Sequence, residues 1–124
     1  MTLPATLLVI EGSYWLLTGL WPLVHLHSFL WITGAKTDLW LVRIVGALIG
    51  VVGGVLLAAG LRGNETPEII ALAVGGAVVL TLADLWFVLE GTIAPIYLVD
   101  AAIEIVLLAA WGAAWYLSRG VAMA

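Results

Sequence analysis

Residues 44–80, IVGALIGVVGGVLLAAGLRGNETPEIIALAVGGAVVL, decide the fold. Two apolar runs rich in glycine and alanine are separated only by the polar stretch around Arg62 to Thr66. Followed outward, the first run extends from Asp38 to Leu61 and the second from Pro67 to Leu89. Each is long enough for a helix to cross a bilayer core, which takes roughly 17–25 residues at ~1.5 Å rise per residue. The polar stretch is too short to do anything but reverse the chain, so these two helices are antiparallel neighbours. Its sequence supplies the start of the second: Thr66 as N-cap, Pro67 at the first helical position, and Glu68 near the positive end of the dipole. Thr37 or Asp38 can cap the first run, and Gly60 and Gly63 can end it.

The same pattern recurs on both sides. Leu3 to Leu23 forms one apolar run, with Thr2 as cap and Pro4 in the first turn, where a missing N–H costs nothing. Pro95 to Ser118 forms another, opened by a proline and closed by Arg119-Gly120. The chain of 124 residues is 65% hydrophobic and 10% charged, against about 45–50% and about 25% in soluble domains. A soluble core of this size has no means of hiding so much apolar surface. The runs lack the two-residue alternation of barrel strands. The amino-terminal run has no basic segment before it and carries Glu11 within it, so it is expected to stay as the first span rather than act as a cleaved signal. The expectation is an all-α, integral membrane four-helix bundle, up-down-up-down, forming a single transmembrane domain over residues 1–124. Its helices are expected near 3–23, 38–61, 67–89 and 95–118.

The links between spans are unequal. Glu90 to Ala94 is short. The first link, HLHSFLWITGAKTD from His25 to Asp38, is longer and oily, and it predicts a short interfacial helix or re-entrant loop between helices 1 and 2. Trp21, Trp31 and Trp40 fit an aromatic belt there. An even number of spans puts both termini on one side. Arg62 and Arg119 lie on that side and Lys36 and Arg43 on the other, so the positive-inside rule is nearly balanced; the amino terminus and an intramembrane Arg43 tip it to cytoplasmic termini.

Ionisable residues inside spans are functional candidates by default. Asp100 and Glu104 are four apart, on one helix face and about 6 Å from each other. Counted down from the helix ends, Glu11, Arg43, Asp84, Asp100 and Glu104 fall in one slab near the face that carries the long first link. Two acids weigh roughly 5–7 kcal/mol against insertion of the last span, and its strongly apolar residues return roughly 4 kcal/mol, so its acids need partners inside the bundle. Arg43 shares a face with Gly46, Ala47, Gly50 and Gly54, a stripe of small residues suited to close helix contact, and is expected to point inward and pair with Asp84 or Asp100. Asp84 shares its face with Thr81, Ala77, Gly76 and Ala73, Glu11 with Tyr14 and Thr18, and Asp100 and Glu104 with Leu107, Leu108 and Trp111. One arginine cannot neutralise four acids, so the remainder must be protonated, hydrated or paired with something outside the chain. The alternative is a polar clasp that only sets helix register.

The other motifs carry less. His25-Leu26-His27 can begin a metal site, with Asp38 or Glu90 as third ligand, although interfacial histidines at a membrane rim account for it as well. Ser13, Ser28, Thr18 and Thr33 have no base at a recognised spacing. Gly53-Gly54 and Gly75-Gly76 are packing glycines, not a phosphate loop. There is no cysteine for a disulfide, thiolate site or nucleophile, and the net charge of -4 gives no argument for nucleic acid.

At TGLWPLVHLHSF (Thr18 to Phe29), TGAKTDLWLVR (Thr33 to Arg43) and IYLVDAAIE (Ile96 to Glu104) the chain resembles an uncharacterised family of small bacterial four-span membrane proteins, with similar spacing along nearly its whole length. The resemblance implies a helical protein of the bacterial inner membrane and carries no catalytic residues. A looser similarity to DoxX-like four-helix membrane proteins bears on architecture alone.

The expected site is a pocket opening towards the face with the long link. Arg43 holds an anion or a buried acid, Asp84 and Asp100 orient it, and Glu11 and Glu104 sit deeper and exchange protons. Tyr14, Tyr97 and Trp86 line an apolar entrance, and Lys36, His25 and His27 gate the mouth. Three functions compete. The first is a binding or accessory protein for a small apolar or amphipathic molecule, a lipid or a partner subunit. The second is a proton- or cation-coupled transporter or channel, which would call for a homo-oligomer or larger complex. The third is an enzyme acting by acid–base chemistry on an apolar substrate, such as an isomerase or cyclase, with Glu11, Asp100 and Glu104 as candidate catalytic groups. None requires a cofactor.

Overall fold

A computed structural model describes residues 1–123. It contains α1 (Leu3–Val24), α2 (Leu26–Thr33), α3 (Leu39–Arg62), α4 (Pro67–Leu89) and α5 (Tyr97–Met123). Four of them, α1, α3, α4 and α5, are long and apolar enough to cross a membrane, so the chain is an all-helical, multi-pass membrane protein. Large apolar side chains such as Leu17, Val51, Val79 and Val106 face outward, as a lipid solvent requires. The first link forms the short helix α2 rather than a re-entrant loop.

The caps act as the sequence leads one to expect, with four adjustments, one being that Arg119-Gly120 does not close α5, which runs on to Met123 because a single glycine weakens a helix without breaking it. Thr2 Oγ1 accepts from the Ala5 N–H at 3.2 Å and Thr66 Oγ1 from the Ile69 N–H at 3.3 Å. Asp38 precedes α3 without a side-chain cap bond, and Gly63, at φ 70°, ends that helix in the left-handed region. Gly60 does not end α3; it is buried within it. At the other end of the chain Pro95 starts a tight turn, with Leu98 N–H on the Pro95 carbonyl at 2.9 Å, and the regular helix begins two residues later, at Tyr97.

The bundle is built from two helix pairs, α1 with α3 and α4 with α5. A ladder of small residues joins the first pair. Ala5 faces Gly60, Gly12 faces Gly53, and Gly19 faces Gly46, so seven-residue steps up α1 match seven-residue steps down α3. A Cβ on Gly53 would lie 2.7 Å from the Gly12 carbonyl oxygen, one on Gly46 2.6 Å from that of Gly19, and one on Gly60 2.8 Å from that of Ala5. The backbones therefore touch along their length. Between helices in lipid this dense packing replaces the hydrophobic drive that water supplies elsewhere.

The buried line of α3 is Gly46, Gly50, Gly53, Leu56 and Gly60. At 100° per residue its mean direction is turned by about 100° from that of Arg43, Ala47 and Gly54 on the expected stripe. The α4 face is the expected one: Ala73, Ala77, Thr81 and Asp84 are all buried. Across the two pairs, Trp15 of α1 fits a notch at Gly76 of α4, where a Cβ would sit 3.0 Å from the ring atom Cζ3.

Candidate functional site

Where α1 meets α5, each helix offers an acid and a tryptophan. Glu11 and Trp15 are one turn apart on α1, and Glu104 and Trp111 are two turns apart on α5. Because the helices run in opposite directions, each indole lies level with the other helix's acid. Trp15 Nε1–H donates to Glu104 Oε1 at 2.8 Å, and Trp111 Nε1–H donates to Glu11 Oε1 at 3.0 Å. Both glutamates have no exposed surface, and the second oxygen of each has no hydrogen-bond partner. This reciprocal clasp ties the α1–α3 pair to the α4–α5 pair.

Above the clasp the pairs separate and leave a cavity of about 630 Å³. Trp15 contributes to its wall, and the wall is otherwise largely aliphatic and aromatic. Leu41 and Val45 of α3 and Val99 and Ile103 of α5 line it and are themselves exposed. The cavity therefore opens sideways between α3 and α5, towards the region that acyl chains occupy. Three polar side chains from three helices meet in it: Tyr14 of α1, Asp84 of α4 and Asp100 of α5. The Tyr14 hydroxyl donates to Asp100 Oδ1. Asp84 is 6% exposed, and its Oδ2 is buried without a partner.

The mouth is formed by α2 and the turn after it. Phe29, Ile32 and Thr33 line the cavity from α2. Lys36 folds back over them. Its Nζ donates to Thr33 Oγ1 at 2.9 Å and to the carbonyls of Gly34 and Thr33 at 3.1 and 3.4 Å. The ammonium lies 5.1 Å from the Phe29 ring centre and 5.2 Å from that of Tyr97, within cation–π range of both.

Of the expected site residues, Tyr14, Asp84, Asp100, Tyr97 and Lys36 come together around the cavity, and Glu11 and Glu104 lie together in the clasp beyond it. Four do not join them: Arg43, Trp86, and the two histidines His25 and His27, which stay exposed and do not line the mouth. Arg43 is exposed on the outer face of α3 and takes no part in the cavity wall, because the glycine ladder sets the rotation of that helix. Its long side chain can reach the interface from its place one turn into the helix. The expected pairing of Arg43 with Asp84 or Asp100 is therefore replaced by the Tyr14–Asp100 bond, and the cation at the cavity is Lys36. Trp86 is 63% exposed and donates to Glu90 Oε2 at 2.7 Å on the surface of α4.

His25 and His27 are exposed, with ring centres 6.4 Å apart. His25 Nδ1 caps α2 by accepting from the Ser28 N–H at 3.2 Å. Among the described residues no three of His, Asp and Glu gather in a metal-binding arrangement. Sequence reasoning placed Trp111 on the face of Glu104 but missed that it serves Glu11, and it missed Trp15 altogether. The spacing of acid and indole on both antiparallel spans was the available signal. Comparison with protein-family models, curated proteins and solved structures finds no match for the chain.

Proposed function

We propose that the protein is a membrane-embedded binding protein that takes a small amphipathic molecule into the cavity between its helix pairs. One observation carries this reading: a cavity of about 630 Å³, apolar in most of its wall, brings polar groups of three helices to one place and opens towards lipid. Its volume lies within the roughly 300–1,000 Å³ of small-molecule sites, and a few placed polar groups on an apolar wall are what such sites use to orient a ligand. The test is native mass spectrometry of gently extracted protein beside Ile49→Trp, which fills the cavity from α3. A bound species present in the wild type and absent from the variant is the expected result. Identical spectra for the two proteins would overturn the proposal.

A second reading, proton- or cation-coupled transport, draws on the acids beyond the cavity. From half-buried Asp100 the acids continue inward to Glu104 and Glu11, which have no exposed surface. Flux in proteoliposomes abolished by Glu104→Gln would favour it over simple binding. The resemblance supports a bacterial inner-membrane location, and the charge distribution supports cytoplasmic termini.

A further inference from the structure

The cavity wall is unequal in what it can still bond. Nearly every side-chain donor on it is already engaged. Tyr14 O–H serves Asp100, Trp15 N–H serves Glu104, and Trp21 N–H serves Ser28 Oγ at 2.9 Å. Thr18 Oγ1 donates to the Tyr14 carbonyl at 2.8 Å and Thr33 Oγ1 to the Phe29 carbonyl at 2.7 Å. Lys36 faces three acceptors with its three N–H bonds. Only the Tyr97 hydroxyl, at the mouth, has no such engagement. The acceptors are the opposite case. Asp84 Oδ2 is buried, without a partner, on a residue that lines the cavity. A buried acceptor left in that condition is costly, and a ligand that brings a donor removes the cost.

Charge points the same way. Two carboxyl groups and one ammonium line the cavity, and a ligand that brings one positive charge favours the ionised form of both acids, which it then balances together with Lys36. Trp15 and Trp21, whose rings Lys36 does not occupy, are also on the wall and suit a cation with an apolar body. An anion finds no free donor there apart from Tyr97.

Resting on the binding reading above, we infer that the ligand is a monocationic amine with an apolar body, its N–H directed at Asp84 Oδ2 beside Asp100 and its body lying along the α3 and α5 walls. The structure assigns Asp84 the charge-recognising role, with Tyr14 holding Asp100 in place beside it.

The test uses the full chain in nanodiscs and four probes that share one arylalkyl body and end in a primary amine, a quaternary ammonium, an alcohol or a carboxylate. Binding is read from tryptophan fluorescence, to which Trp15 and Trp21 of the wall respond. The amine is expected to bind at least ten-fold more tightly than the alcohol and the carboxylate, and more tightly than the quaternary ammonium, which has the charge but no N–H. In Asp84→Asn the amine's advantage over the alcohol is expected to fall at least ten-fold while alcohol binding persists, which also shows that the variant is folded. If Asp84→Asn does not fold, the wild-type ranking decides alone. Equal binding of amine and alcohol, or tighter binding of the carboxylate, would overturn the inference and leave the binding reading intact. Failure of all four to bind would overturn both.

Discussion

Replacing Trp15 by Phe removes the single hydrogen bond that Glu104 receives from another side chain. Glu104 has no exposed surface, and its Oε2 is already without a partner, so the variant leaves both oxygens unpaired inside the bundle. A buried acceptor stripped of its donor costs about 1–3 kcal/mol. The smaller ring also leaves a void at the Gly76 notch, at about 1 kcal/mol for each methyl-sized gap. A double-mutant cycle separates the two effects. In a Glu104→Leu background no carboxylate remains to be orphaned, so Trp15→Phe there costs only the packing loss. The difference between the two backgrounds is expected to be about 1–3 kcal/mol. Reversible unfolding in mixed micelles with increasing denaturing detergent measures all four proteins. A coupling within about 0.5 kcal/mol of zero, the scatter of independent sites, would refute the clasp as an energetic link between the helix pairs.

The remaining predictions probe the ladder, the outer face and the topology. Gly53→Ala forces a Cβ to 2.7 Å from the Gly12 carbonyl and is expected to cost about 1–3 kcal/mol in the same assay. Gly75→Ala, which meets nothing within 4 Å, is expected to be neutral or slightly stabilising; equal losses for both would sink the ladder. Arg43→Gln is expected to change stability by no more than about 0.5 kcal/mol and to leave amine binding unaltered, whereas a large loss in either would return Arg43 to the site. Because the chain has no cysteine, single introduced thiols report sidedness directly. Asn64→Cys and Ser118→Cys are expected to react with an impermeant maleimide from one side of sealed vesicles and Thr37→Cys from the other.

Much of the architecture was legible without coordinates. Span number and, outside α5, the approximate limits follow from hydropathy over a fixed bilayer thickness, and the starts of α1 and α4 follow from Thr2-Leu3-Pro4 and Thr66-Pro67-Glu68, whose caps act within a single turn. The buried face of α4 was also readable, since Ala73, Ala77, Thr81 and Asp84 are its only continuous small and polar line. The α5 start was placed two residues early because Pro95 opens a tight turn instead of the first regular turn. The site was legible as a set of residue types at similar depth, which is why four acids were placed together.

Rotation about each helix axis was another matter. Arg43 and Gly46 are neighbours on α3, and composition alone could not say which of two overlapping small-residue stripes is buried. The choice belongs to α1, whose Ala5, Gly12 and Gly19 recur every seven residues and accept only the line through Gly46, Gly53 and Gly60. The partners of the acids were undecided for the same reason. Hydropathy and capping are properties of one helix and its solvent, and those the sequence by itself determined. Which indole meets which carboxylate, and which cation stands over the cavity, depend on contact between helices far apart in the chain, and only their packing decided them.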